Sequence, residues 1–134
     1  MASKVRVYGK AQNRTALGIM HAYHVMFPHA TLEDFCKAFP KELTPDIGGP
    51  VIFRNREELK TENELGFWFV EPDEVIKLQD GTKMSVVKMW TKASFERLVN
   101  HAMQYDIEVA EFEKGVKGQK GGFRLEYLNG YVPP

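Results

Sequence analysis

The sequence predicts an α+β domain: an N-terminal strand and a helical pair, then a mostly antiparallel sheet with an Asp-Gly hairpin, a third helix and closing strands. Three observations carry this. "KVRVY" alternates β-branched and charged residues near the N-terminus. "ALGIMHAYHVMF" and "LEDFCKAF" repeat their apolar residues at helical spacing. "EVIKLQDGTKMSVVKMW" sets strand-like runs on both sides of Asp80-Gly81, a pair suited to the positive φ angles of a tight turn. With 134 residues, 43% hydrophobic and 27% charged, the chain is long enough to bury a core without staples, and one domain spanning 1–134 is expected.

In chain order, "KVRVY" is the first strand and "GKAQNR" a polar turn. Thr15 is placed to cap "ALGIMHAYHVMF", which must stop where Pro28 forbids continuation. Thr31 caps "LEDFCKAF", whose Leu32, Phe35, Cys36 and Phe39 form a stripe expected to be buried. Glu33 and Asp34 lie at the positive end of that helix, with Lys37 and Lys41 nearer the negative end. "PKELTPDIGGP" is a loop, and "VIF" a short strand. "RNREELKTENEL" reads as a polar excursion with one helical turn, and "GFWFV" as a buried strand. A two-residue turn at Asp80-Gly81 sets Val75 opposite Val86 but also Ile76 opposite Ser85, so the apolar faces of the hairpin match only in part. Ser94 is placed to cap "FERLVNHAMQY", with Phe95, Leu98, Val99, Ala102 and Met103 inward. "IEVAEF" and "GFRLEYL" close the fold around the basic, glycine-rich "EKGVKGQKGG". The predicted order is β-α-α-β-β-β-α-β-β.

Lys4, Arg6, Lys10 and Arg14 precede the first acid, Glu33. Twelve acids and six bases then run to Asp80, and eight bases and six acids follow, so +4, −6 and +2 cancel to a net charge of zero. That asymmetry can oppose an acidic face to a basic one, which favours a polar partner or self-association. It is not the basic excess of a dedicated nucleic-acid binder. No run nears the ~18 apolar residues of a membrane span, and the N-terminus has no signal-peptide pattern. The single cysteine allows no internal disulfide and suits a reducing compartment, so a cytoplasmic protein without membrane contact is expected.

"HAYHVMFPHATLEDFC" gathers His21, His24, His29 and Cys36, residue types that zinc accepts. Their spacing, H-x2-H-x4-H-x6-C, matches no common zinc module. On a helical wheel His24 falls within the apolar face of Ala16, Leu17, Met20, Tyr23 and Phe27, with His21 at its margin. The preferred reading is a partly buried His24 bonded to backbone or a polar side chain, His21 and His29 at the surface or an interface, Cys36 in the core, and no cofactor. Gly18 and Ala22 form a small pair that lets another element approach, and an internal contact is preferred.

The helical pair resembles a helix-turn-helix in outline, but Glu33 and Asp34 would repel phosphate where a recognition helix needs donors. A nucleic-acid reading rests instead on helix 94–105, with Arg97 and Asn100 beside His101 and Gln104, and on loop 114–122 with Lys114, Lys117 and Lys120. "GVKGQKGG" lacks the Gly-Lys-Ser/Thr ending of a phosphate-binding loop, and no G-x-S-x-G elbow occurs. Acid pairs such as Glu57-Glu58 and Asp73-Glu74 sit in polar connections, and no catalytic residue is assigned. Trp68, Trp90 and Tyr131 are the aromatic candidates for a partner surface.

"DGTKMSVVKMWTKASFERLVNHAMQYDIEVAEFE" (a DG hairpin, a Trp before a helix, then a strand) resembles small bacterial proteins without an assigned activity, some encoded near phage or mobile elements. The likeness covers about a third of the chain. It implies a bacterial accessory protein and carries over no catalytic residues.

The first reading is a small non-enzymatic binding module that acts through a protein partner or as a homo-oligomer. It would use Trp68, Trp90 and Tyr131, with the basic N-terminal segment as an electrostatic aid. The alternative is a nucleic-acid-associated protein using Arg97, Asn100, Lys114, Lys117 and Lys120. The third is a metal or catalytic site at His21, His24, His29 and Cys36.

Overall fold

The first strand, β1 (Val5–Gly9), buries Val5 and Val7 and leaves Arg6 and Tyr8 half-buried on its other face, as the alternation requires. The computed structural model describes residues 3–43, 52–110 and 120–134. Helix α1 (Gln12–Met26) starts three residues before the expected cap. Its N-cap is Ala11, and Thr15 is buried inside the first turn, donating its hydroxyl to the Ala11 carbonyl at 2.8 Å. Thr15 packs so closely on Gly9 that a Cβ there would lie 2.0 Å from its Oγ1. The helix ends at Phe27, before Pro28, as predicted.

Helix α2 (Leu32–Ala38) has the expected Thr31 cap as a full capping box: Thr31 accepts from the Asp34 N–H, and Asp34 accepts from the Thr31 N–H. Phe35 and Phe39 are buried, but Cys36 is exposed and Ala38 takes the inward place. The buried edge of the helix therefore runs through Phe35, Ala38 and Phe39, and Cys36 lies one position outside it.

Next come β2 (Phe53–Asn55) and a 3-10 turn at Arg56–Glu58. The expected strand at "GFWFV" is largely absent. Helix α3 (Glu62–Phe67) occupies its start, nucleated by a capping box between Thr61 and Glu64 and tied down by Arg54 to Glu64 at 3.1 Å. Only Trp68 keeps strand character, in an isolated antiparallel bridge to Val87.

The hairpin joins β3 (Ile76–Lys77) to β4 (Lys83–Val86). Its register is one residue off the two-residue expectation, with Ile76 opposite Met84 and Lys77 opposite Lys83. The loop is Gln79-Asp80-Gly81, closed by Leu78 N–H to the Thr82 carbonyl at 2.8 Å, with Gly81 at φ 92°. The slip lets two buried side chains, Ile76 and Met84, face each other. Helix α4 (Lys92–Ala102) is capped by Thr91, with Ser94 as its box partner rather than the cap. Phe95, Leu98 and Ala102 turn inward, whereas Met103 is exposed.

Two strands complete the fold, β5 (Ile107–Val109) and β6 (Phe123–Tyr127). Among the described residues there are two three-stranded sheets, ordered β5-β1-β6 and β2-β4-β3. All pairs are antiparallel except β1 with β5. Helix α1 lies across the first sheet and touches α4. The expected small-residue contact is internal: a Cβ at Gly18 would lie 2.6 Å from Val7 Cγ1 and 3.2 Å from Phe123.

Candidate functional site

The two tryptophans serve the core. Trp68 is 6% exposed and Trp90 7%. The Trp90 indole donates to the Val87 carbonyl at 2.9 Å, so its one polar atom is already satisfied inside the protein. These two residues therefore cannot form the partner surface expected of them. Tyr131 is only part-buried, beside Tyr127 at 6.2 Å and with the Lys4 ammonium 5.7 Å from its ring.

The four His/Cys candidates are not brought together. His21 is held under the turn before β3, its Nε2–H donating to the Glu74 carbonyl at 3.0 Å and its ring 4.7 Å from Phe123. It is thus a packed residue rather than a surface one, and burial pushes its pKa down to about 4. His24 is half-buried near Phe35, yet its Nδ1 has no partner among the described residues, where a backbone or side-chain bond was expected. Its pKa is lowered by burial. His29 is exposed and hydrogen-bonds Gln79. Cys36 lies on the opposite rim of α2, in a pocket with Phe39 and Pro40, and partial burial, then the Glu33 carboxylate, raises its thiol pKa. Among the described residues no three His, Cys, Asp or Glu side chains converge as metal ligands.

Of the nucleic-acid candidates, Arg97 and Asn100 are exposed on α4, and Arg97 makes contacts of its own. Lys114, Lys117 and the side chain of Lys120 lie outside the described residues. His101, expected on the same solvent face, is pinned instead: Nε2 bonds the Ala38 carbonyl at 2.5 Å and Nδ1 meets Gln104 at 3.1 Å. The basic N-terminal segment is also spent internally. Lys4 pairs with Asp106, Arg6 with Glu108 and Glu126, and Arg14 with Glu74. Of these pairs only Arg14–Glu74 joins the basic N-terminal segment to the acidic stretch from Glu33 to Asp80. The Arg14–Glu74 pair, at 2.5 Å, is the most buried of them, with Glu74 5% exposed. Arg14 also donates to the Gly121 carbonyl, and Glu74 accepts the Glu71 N–H. This is a staple joining α1, the turn before β3 and the start of β6.

What the fold does leave open is a groove of about 620 Å³ where the end of α1, helix α2 and the 3-10 turn at Met103–Tyr105 meet. Its floor is built from Tyr23, Met26, Ala38 and Tyr105. Tyr23 is clamped by edge-to-face contacts to Phe35, Phe39 and Tyr105 at 5.0–5.2 Å, and the Tyr105 hydroxyl donates to the Ala38 carbonyl at 2.8 Å. Aromatic clamps of this kind hold a floor rigid before anything binds. Phe27 forms one wall, stacked on Tyr23 at 4.6 Å but 43% exposed. Pro28 keeps it there by ending the helix at that point. The Tyr23 hydroxyl makes no hydrogen bond among the described residues, and burial raises its pKa. His29, Asp34 and Lys37 stand on the rim; Asp34 is committed to the α2 cap, which holds its carboxyl below the usual range.

Most of this groove lies in the stretch that looked like a ligand cluster, but there its working residues are the aromatics between the histidines, Tyr23 and Phe27. An apolar residue just before a helix-ending proline is the signal that could have flagged Phe27. Tyr105 had none, since only the tertiary fold brings it to α2. No protein-family model, curated protein or solved structure matches the chain. No helix among the described residues is long and apolar enough to cross a membrane.

Proposed function

We propose that the chain is a small non-enzymatic binding module acting through a protein partner, which inserts one apolar or aromatic side chain into the Tyr23–Phe27–Tyr105 groove. The exposed Phe27 ring, continuous with a buried aromatic floor, is the observation that carries this reading. A volume of about 620 Å³ lies within the roughly 300–1,000 Å³ range of small-ligand sites, enough for one large side chain and its flanking peptide units. The Tyr23 hydroxyl, on a residue that lines the groove, can donate to a peptide carbonyl on that segment. The neutral floor and mixed-sign rim favour an apolar anchor over a phosphate or a strongly charged tail.

The test is a photoreactive phenylalanine analogue placed at position 27, with the same analogue at exposed Lys77 as control. Crosslinking in cells should yield a defined partner adduct from position 27 only, and Ala38→Arg, which fills the groove, should abolish it. Equal adducts from both positions, or an adduct indifferent to Ala38→Arg, would remove the groove from consideration.

A further inference from the structure

Among the described residues the first sheet ends in an unpaired edge whose sequence is complementary to itself. Two bonds fix which way the backbone of β6 faces. Leu128 N–H donates to the Lys4 carbonyl at 2.8 Å, and Lys10 N–H to the Gly122 carbonyl at 3.0 Å. With Val5 opposite Tyr127 and Val7 opposite Leu125, the even-numbered residues of β6 bond to β1. Phe123, Leu125 and Tyr127 therefore turn their N–H and C=O groups away from β1, and among the described residues β6 pairs with no other strand.

At five residues β6 equals β1 as the longest strand, and β1 is central. The other edge strands, β5, β2 and β3, have three, three and two residues. Short strands are one way in which sheet edges are kept from pairing, and proline, lysine and inward charge are others. "FRLEY" has none of these protections. Its charged residues, Arg124 and Glu126, lie on the outer face with Arg6 and Tyr8, and Phe123, Leu125 and Tyr127 lie on the α1 side.

We propose that β6 pairs antiparallel with β6 of a second copy of this chain, about a two-fold axis through Leu125, giving a continuous six-stranded sheet. In that register Phe123 meets the partner's Tyr127, Leu125 meets the partner's Leu125, and Arg124 meets the partner's Glu126. The first two are the outward-facing positions, so each pair exchanges two N–H···O bonds. The third is an opposite-charge cross-strand pair, made twice by symmetry. A shift of the register by two residues sets Arg124 against Arg124 or Glu126 against Glu126, so charge selects the two-fold arrangement. Arg124 lies over the Tyr8 ring at 3.7 Å and has contacts of its own, and Glu126 accepts the Tyr8 hydroxyl at 2.6 Å and pairs with Arg6 at 3.3 Å, so the cross-strand pair would add to charges already placed on that face. The apolar ladder of Phe123, Leu125 and the 45% exposed Tyr127 gains a matching ladder from the copy. Among the described residues the C-terminal segment is held elsewhere: Asn129 bonds the Ser3 carbonyl, and Pro134 lines the groove.

The experiment is sedimentation velocity on the full chain and on Arg124→Glu and Glu126→Arg, separately and mixed. The wild type should run at twice its 15.4 kDa mass. Each single variant brings like charges together twice per dimer and should weaken dimerisation by about tenfold or more. The mixture should recover a dimer, because the two carboxylates on β6 of one variant then face the two guanidinium groups on β6 of the other. Circular dichroism checks that each variant is folded. A monomeric wild type, or single variants that dimerise as well as it does, would overturn the proposal. So would a mixture of folded variants that stays monomeric. The groove reading is untouched by any of these results, since no residue of β6 lines the groove.

Discussion

Acidification should destabilise the protein through His21. The ring is packed between α1, the turn at Glu71–Glu74 and Phe123, with Nε2–H on the Glu74 carbonyl. Burial is the largest influence on its charge and disfavours the protonated ring. The Glu74 carbonyl and the Asp73 carboxylate favour protonation, His24 opposes it, and burial outweighs the favourable contacts. Folding therefore lowers the pKa from 6.5 to about 4. Between those values the unfolded chain binds more protons, so stability rises with pH through the window. The contribution is fully present above about pH 6.5 and is lost as the pH falls through 4. A separation of about 2.5 pH units at about 1.4 kcal/mol each is worth about 3 kcal/mol, of which about 2 to 3 kcal/mol is lost by about pH 4.5. Urea unfolding at pH 7 and pH 4.5 should show that excess loss in the wild type relative to His21→Gln, which keeps a donor for the Glu74 carbonyl. Equal losses in the two proteins would refute the burial argument.

Two substitutions test the packing at the same junction. Gly18→Ala should destabilise by about 1–2 kcal/mol in chemical denaturation, although alanine favours a helix by about 1 kcal/mol, because the new methyl falls 2.6 Å from Val7 Cγ1. Glu74→Gln should cost about 3 kcal/mol or more by leaving Arg14 half-buried without its carboxylate, and Arg14→Met with Glu74→Gln should restore part of it. A double variant no better than the single would show that the pair is not coupled.

The parts of this fold that are readable from sequence are those that local chemistry decides. Pro28 ends α1, Thr31 opens α2, and the alternation in β1 separates Val5 and Val7 from Arg6 and Tyr8. The misreadings occur where two local signals compete. In "TENELGFWFV" the aromatic run argues for a strand, but the Thr61–Glu64 capping box and the Arg54 ion pair set a helix going first. At Asp80-Gly81 the dipeptide suggests a two-residue turn, and the need to face Ile76 with Met84 imposes a three-residue one. For the site, residue type misled in both directions. Trp68 and Trp90 are large enough to anchor a partner, and for the same reason they fill the core. The groove was out of reach because Tyr23, Ala38 and Tyr105 meet only once α2 and the end of α4 are docked on α1.

The groove is tested most directly by amide chemical-shift mapping with a panel of short blocked peptides, each carrying one central Leu, Phe, Tyr or Trp. Binding to the groove predicts saturable shifts at Tyr23, Met26, Phe27, Ala38 and Tyr105, strongest for the aromatic peptides and lost in Ala38→Arg. Shifts that cluster elsewhere, or a panel that moves none of these amides at the highest soluble concentration, would contradict the account.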